Sequence, residues 1–234
     1  MVSSKNKGKC YLCRKEFTKS GMVKHLLSCN NLGNGKTKYF LLRVEDIYDK
    51  NYWLYLQVKA TTTLDALDDF LRNIWLECCG HLSSFKIDNT IYDKVLSDED
   101  ICIFNDFDVN EEMSSFKLID VIEKGSTFTH EYDFGSTTTL KIKVVDKYTG
   151  INSLKDISLL ARNNKKEFIC EKCEKDATYF LTDYEYSDYQ LLCDDCIKNL
   201  SDDEVEETLF IKITNSPRMG ICGYTGENDV YELE

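Results

Sequence analysis

The chain has 234 residues, 42% of them hydrophobic and 30% charged, which is enough for one ordinary domain plus small modules. No run approaches the ~18 apolar residues of a membrane span, and the lysine-rich start from Met1 to Cys10 lacks the apolar core of a secretory signal, so a cytoplasmic protein with no membrane partner is expected. The net charge of -12 is unevenly spread: residues 1–43 hold ten Lys/Arg against one acid, Glu16, while the remainder holds 19 basic against 40 acidic residues, so only the N-terminal segment attracts phosphate.

The first element is Cys10-x2-Cys13-x11-His25-x3-Cys29, the ligand spacing of a tetrahedral zinc site. Without a secretory context, Cys-x-x-Cys pairs read as metal ligands and not as disulfides. Met22, His25, Leu26 and Cys29 recur at i, i+3, i+4 and i+7, so they share one face of a helix for which Ser20 is the expected N-cap. With Phe17 as an aromatic core residue, the segment resembles the C2H2 zinc-finger class, with a cysteine in place of the last histidine. That resemblance implies a ββα unit that folds only with metal. It also places Thr18, Gly21 and Lys24 at the base-reading positions of a helix in a major groove. Gly21 has no side chain to read with, so phosphate contact with little sequence preference is expected, carried by Lys9, Arg14, Lys15, Lys19 and Lys24. Contact with a partner protein and a purely structural cap are the alternatives for this finger.

Residues 33–38 read as a polar linker. Tyr39 to Val44 and Tyr52 to Ala60 then read as strands. Thr63 is placed to cap a helix from about Leu64 to Glu77, with Leu64, Leu67, Leu71 and Ile74/Trp75 as its apolar stripe. Short strands are expected at Phe85 to Ile87 and near Ile91, and a hairpin from Thr127 to Val145 around Asp133-Phe134-Gly135-Ser136. This order implies an α+β fold, mainly an antiparallel sheet with one principal helix, accompanied by two small zinc-binding modules. Cys78, Cys79 and Cys102 read as small buried hydrophobes.

Gly80-His81-Leu82-x-x-Phe85-x-Ile87, followed by Phe128-x-x-x-Tyr132-Asp133-Phe134-Gly135, resembles the plasmid pRiA4b ORF-3-like family over roughly Tyr39 to Asp146. Ser136-Thr137-Thr138 stands where many members carry an acidic residue, then Trp and His. The resemblance implies an association with mobile elements and no established activity. Among ionisable candidates for catalysis, His130 and Glu131 alternate onto opposite faces of a strand and cannot act together. His81 reads as a capping or packing residue, and the Asp133 carboxylate as an acceptor for its own turn. No Ser-His-Asp signature or phosphate loop is visible, which leaves an enzyme as the least favoured reading.

The second zinc signature is Cys170-x2-Cys173-x19-Cys193-x2-Cys196. Strands are expected at Ala177 to Leu181 and Tyr189 to Leu192, with a short helix from Cys193 toward Leu200, the pattern of a zinc ribbon or treble clef. Thirteen acids against three lysines over residues 170–207 exclude nucleic acid from this module. Tyr179, Tyr184, Tyr186 and Tyr189 suit either a protein contact or internal packing. Thr208 to Thr214 reads as a strand. The Gly220, Gly223 and Gly226 segment reads as a tight, close-packed loop with Cys222 as a buried thiol; a phosphate nest with Arg218 is the lesser alternative, since the fingerprint of a nucleotide loop is absent.

Four segments are therefore expected: a finger and linker over 1–37, an α+β domain over 38–148, a four-cysteine module over 149–200 and a tail over 201–234. The expected cofactors are two structural zinc ions, held by Cys10, Cys13, His25, Cys29 and by Cys170, Cys173, Cys193, Cys196. The implied function is an adaptor contacting nucleic acid through residues 1–43 and a protein partner through its acidic body. The alternative is a protein–protein interaction module with purely structural zincs.

Overall fold

The computed structural model describes residues 6–29, 35–94, 110–183, 189–206 and 208–229. Cys102, Tyr184 and Tyr186 lie outside the described residues. The fold is α+β and mainly antiparallel, and the chain forms two compact units. Residues 1–73 with 80–164 make the first, and 74–79 with 165–234 the second. No helix among the described residues is long and apolar enough to cross a membrane.

The first unit is built on a ten-stranded sheet. Its strands in chain order are β1 (Lys7–Cys10), β2 (Glu16–Thr18), β3 (Thr37–Asp46), β4 (Trp53–Lys59), β5 (Ser83–Ile87), β6 (Thr90–Asp93), β7 (Glu111–Glu112), β8 (Thr127–Tyr132), β9 (Thr138–Gly150) and β10 (Ile157–Asn163). Their spatial order is β2-β1-β10-β4-β3-β9-β8-β5-β6-β7, antiparallel throughout except for β6 against β7. The long pairing of β3 with β9 runs from Thr37↔Gly150 to Asp46↔Leu140 and shifts register at Leu41/Leu42.

Strand β10 is absent from the expectations above. Its apolar stretch, Leu159-Leu160-Ala161, is short and carries neither aromatic nor branched residues. It nevertheless joins the finger to the sheet, because Cys10 pairs with Ala161 on one edge while Leu159 pairs with Leu56 on the other. The expected boundaries after residues 37 and 148 therefore both fall inside the first unit.

Helix α1 (Lys19–Cys29) packs Met22 and Leu26 into a buried cluster with Cys10, Leu41, Trp53, Tyr55, Leu160 and Ala161. Its N-terminus is capped two residues earlier than expected: the Thr18 hydroxyl, and not that of Ser20, accepts from the Gly21 N–H at 3.3 Å. The Tyr55 hydroxyl donates to the Lys19 carbonyl at 3.0 Å, fixing the helix start to β4.

Helix α2 (Leu64–Leu71) begins as expected, with Thr63 Oγ1 accepting from Ala66 N–H at 3.2 Å, and continues as a π-helical turn over Arg72–Leu76. It meets the sheet through Asp68, whose carboxylate bonds His130 on β8. Along β8, Phe128, His130 and Tyr132 are buried and alternate with Thr127, Thr129 and Glu131. The register relates Phe128 to Ile142 and Ile142 to Val44, so this face continues through Val44 and Leu54. Leu41, Trp53 and Tyr55 lie on the opposite face, under α1. The sheet thus has a helix on each face, α1 over β4 and α2 against β8.

The second unit contains a three-stranded antiparallel sheet of β11 (Tyr179–Thr182), β12 (Tyr189–Leu192) and β13 (Leu209–Lys212), in the order β12-β11-β13. Short helices α4 (Asp194–Ile197) and α5 (Asp202–Glu206) separate the last two strands, and α3 (Leu118–Val121) belongs to the first unit. The tail strand is therefore the third strand of the ribbon: Tyr179 pairs with both Leu192 and Lys212.

Because α1 shares its core with β4, Leu26→Ala should cost about 2–5 kcal/mol. Urea unfolding monitored by far-UV dichroism and by tryptophan fluorescence should show one transition shifted in both signals. A finger that folds independently would leave the sheet's midpoint in place.

Candidate metal centres

Both predicted ligand sets converge. Cys10, Cys13, His25 and Cys29 bring their donor atoms within 4.8 Å of one another, as do Cys170, Cys173, Cys193 and Cys196. Cys13 Sγ lies 3.2 Å from His25 Nε2, and Cys173 Sγ lies 3.5 Å from Cys193 Sγ. Zinc–sulfur bonds of ~2.3 Å set a tetrahedral edge of about 3.8 Å. The donors stand near that spacing, whereas a disulfide would require a separation of ~2.05 Å. The donor chemistry and the spacing both fit a tetrahedral, thiophilic cation.

The two Cys-x-x-Cys turns share one backbone design. In the first, the Cys10 N–H donates to the Lys15 carbonyl at 2.9 Å and the Arg14 N–H donates to the Cys10 carbonyl at 2.8 Å. In the second, the Cys170 N–H donates to the Lys175 carbonyl at 2.7 Å and the Glu174 N–H donates to the Cys170 carbonyl at 2.9 Å. Both turns close through a left-handed residue just after the second cysteine, Arg14 at φ 62° and Glu174 at φ 59°. Neither is the glycine that such a φ favours, so only the cysteine spacing points to this turn.

His25 stacks on Phe17 with ring centroids 4.0 Å apart. Burial and the nearby Lys15 charge lower its pKa, which keeps a neutral imidazole nitrogen available as a ligand near neutral pH. The thiols are unequal. Burial raises Cys170, but the N–H groups of Cys193, Lys172 and Cys173 outweigh it and bring the thiol down to about 6. Hydrogen bonding to Cys173, followed by burial, pushes Cys196 up to about 12. Burial, then Cys13, pushes Cys29 up to about 11. Once one thiolate forms, its neighbours resist a second negative charge unless a cation is shared between them.

The expected phosphate-contacting side chains do not share one environment. Arg14, Lys15 and Lys24 are exposed. Lys9 is half-buried on β1 between its partners Arg162 and Glu16. Lys19 forms an ion pair with Glu45 and also donates to the Lys50 carbonyl at 3.0 Å.

The two histidines of the sheet region lie in separate settings. His81 Nε2 is 3.6 Å from the Asp133 carboxylate. Asp133, at φ 64°, accepts from the Gly135 and Ser136 N–H groups at 3.0 and 3.2 Å, the expected turn role. His130 and Asp68 are fully buried, and His130 Nε2 lies 2.6 Å from Asp68 Oδ1. Arg72 reaches the same carboxylate at 3.7 Å and Lys94 at 3.6 Å. Burial raises the Asp68 pKa, but the His130 hydrogen bond and Coulomb attraction, with Ser83 and Arg72, outweigh it and hold the carboxyl below its usual range. Sequence reasoning missed this pair, although a signal exists: Asp68 and Arg72 continue the apolar stripe of Leu64, Leu67 and Leu71 at helical spacing.

A family model described as plasmid pRiA4b ORF-3-like protein matches residues 40–179. The chain belongs to the plasmid pRiA4b ORF-3-like family. The match runs well past Asp146, taking in β10 and the first cysteine pair of the second metal cluster. In this family member the finger lies N-terminal to the matched region. No curated protein matches the chain. A solved structure of a protein of unknown function from Methanosarcina mazei Go1 is similar at 14% identity, with a TM-score of 0.44, covering 59% of this chain and 76% of that one.

Asp68→Ala should cost about 3–5 kcal/mol at neutral pH, because it strands His130 and Arg72 in the core. The folded pKa of Asp68 is depressed below its unfolded value of ~3.9, so its contribution is present above about pH 4 and is lost as the pH falls further. The stability gap between wild type and Asp68→Ala, measured by denaturant unfolding, should therefore narrow on acidification. A pH-independent gap would contradict the ion pair.

Proposed function

We propose that the protein is an adaptor stabilised by zinc, contacting nucleic acid through its finger and a protein partner through its acidic remainder. The observation that carries this reading is that each cluster commits four protein donors to one site. A tetrahedral ion held this way has no open position at which to activate water or substrate, so zinc here acts on folding and not on chemistry. One ion in each cluster accounts for both sets of ligands.

The nucleic-acid part of the proposal rests on the exposed Arg14, Lys15 and Lys24 in a segment of strong positive charge. Lys19 contributes little, since Glu45 already neutralises it. Gly21 offers no base-reading side chain, so binding is to phosphate and indifferent to sequence. A cytoplasmic setting suits the free thiols. The family's association with mobile elements is compatible with a nucleic-acid partner.

A second reading has a specific observation in its favour. Helix α1 spends Met22 and Leu26 on the sheet beneath it, which makes the finger a lid for the core. In that case the protein engages only other proteins.

Binding of the zinc-loaded full chain to duplex DNA, single-stranded DNA and RNA, followed by fluorescence anisotropy across a salt series, separates the two. With three phosphate contacts on duplex, log K should fall against log salt with a slope of about -3. The combined change Arg14→Ala, Lys15→Ala and Lys24→Ala should flatten that slope without altering the fold. Tight binding that ignores salt, or no binding at low salt to any of the three, would retire the nucleic-acid reading in favour of the second.

A further inference from the structure

Three cysteines outside the two predicted clusters also converge. Cys78, Cys79 and Cys222 belong to the second unit. Cys78 Sγ lies 3.7 Å from Cys79 Sγ, and Cys79 Sγ lies 3.6 Å from Cys222 Sγ. None of the three is a buried hydrophobe as expected: Cys79 and Cys222 are exposed and Cys78 is half-buried. The separations are close to that in the ribbon cluster, where Cys173 and Cys193 stand 3.5 Å apart. They are close to the tetrahedral edge of about 3.8 Å around zinc, and far from the ~2.05 Å of a disulfide.

The surrounding structure holds these thiols in place. Ser216 Oγ donates to the Trp75 carbonyl at 2.6 Å, and the Trp75 indole N–H donates to the Asn215 carbonyl at 3.0 Å. These bonds tie the segment carrying Cys78 and Cys79 to the loop carrying Cys222. The loop turns through left-handed residues at Gly220, Cys222 and Gly223, with φ of 80°, 51° and 66°. A cysteine in that conformation is uncommon, and here it presents its sulfur to Cys79. Arg218, fully buried, sets its guanidinium Nη2 3.6 Å from Cys78 Sγ, where a positive charge favours thiolate. The Arg218 guanidinium is turned to sulfur inside the unit, as suits a close-packed loop and not a phosphate nest.

We infer that Cys78, Cys79 and Cys222 form a third cation site, a solvent-accessible one selective for thiophilic ions such as zinc. Each closed cluster holds at least one buried cysteine, whereas this site has two exposed thiols and no buried one, so its ion exchanges more readily.

The test is metal stoichiometry of the reduced full chain, by titration with Co(II) followed through the thiolate-to-metal absorption band, and by elemental analysis after zinc loading. Wild type is compared with Cys79→Ser and with Cys222→Gly. The latter places glycine at a φ that glycine favours, so it keeps the fold. Each variant should bind one equivalent fewer than wild type, with unchanged far-UV dichroism, and the lost equivalent should be the first that a chelator removes from wild type. Because the reading is a difference between proteins, it stands apart from whether the two predicted clusters are filled. Equal stoichiometry in wild type and Cys222→Gly would overturn the inference. So would a Cys79–Cys222 disulfide found by mass spectrometry in the reduced, zinc-loaded protein.

Discussion

Six consecutive residues of β4, Trp53 to Val58, are buried, and the rest of the first unit is arranged to satisfy that demand. A strand in a sheet points successive side chains to opposite faces, so unbroken burial requires cover on both. The face of Leu54 continues to Phe128 and His130 and is met by α2. The face of Trp53 and Tyr55 is covered by α1, from the finger. Without the finger, a face carrying Trp53, Tyr55 and Leu41 would meet water. An exposed apolar patch of that kind is unfavourable in a monomer.

The candidate metal ligands of the finger are part of that packing. A ββα unit alone builds too little core to fold and draws its stability from metal. Here Cys10 is at once a candidate ligand and a β1 residue paired with Ala161. Metal bound at this site would therefore be coupled to the central sheet and not only to the eleven residues of α1. The matching turn at Cys170 closes a separate three-stranded sheet by the same backbone bonds. One local solution is thus used twice, in two different tertiary settings.

The polar interior shows a different kind of constraint. Asp68 and His130 are completely buried, and replacing both with apolar residues could be neutral in stability. What the pair supplies is a directional link: only one seating of α2 on β8 brings Asp68 onto Nε2. Arg72, one turn later, closes the arrangement on Ser83 at 3.3 Å and lies over the Tyr132 ring at 5.0 Å.

Much was settled by the sequence alone. Ligand spacing, a short-range property, identified all eight donors of the two closed clusters, because a Cys-x-x-Cys turn and an i, i+4 helix pair need no distant information. Local periodicity gave β3, β4, β8, β12 and the cap of α2, and the family resemblance at Gly80 to Gly135 held and extended. The apolar run Trp53 to Leu56 in β4 marks a strand, but does not say what covers its two faces. Tertiary structure decided the rest. It seated the finger on β4, inserted the unremarked β10 between β1 and β4, brought the tail in as β13, turned Lys19 onto Glu45, and joined Asp68 to His130. It also gathered Cys79 and Cys222, 143 residues apart, into one group. These outcomes depend on which faces are left to be buried once every element exists. No local window contains that information, since burial is a property of the assembled chain.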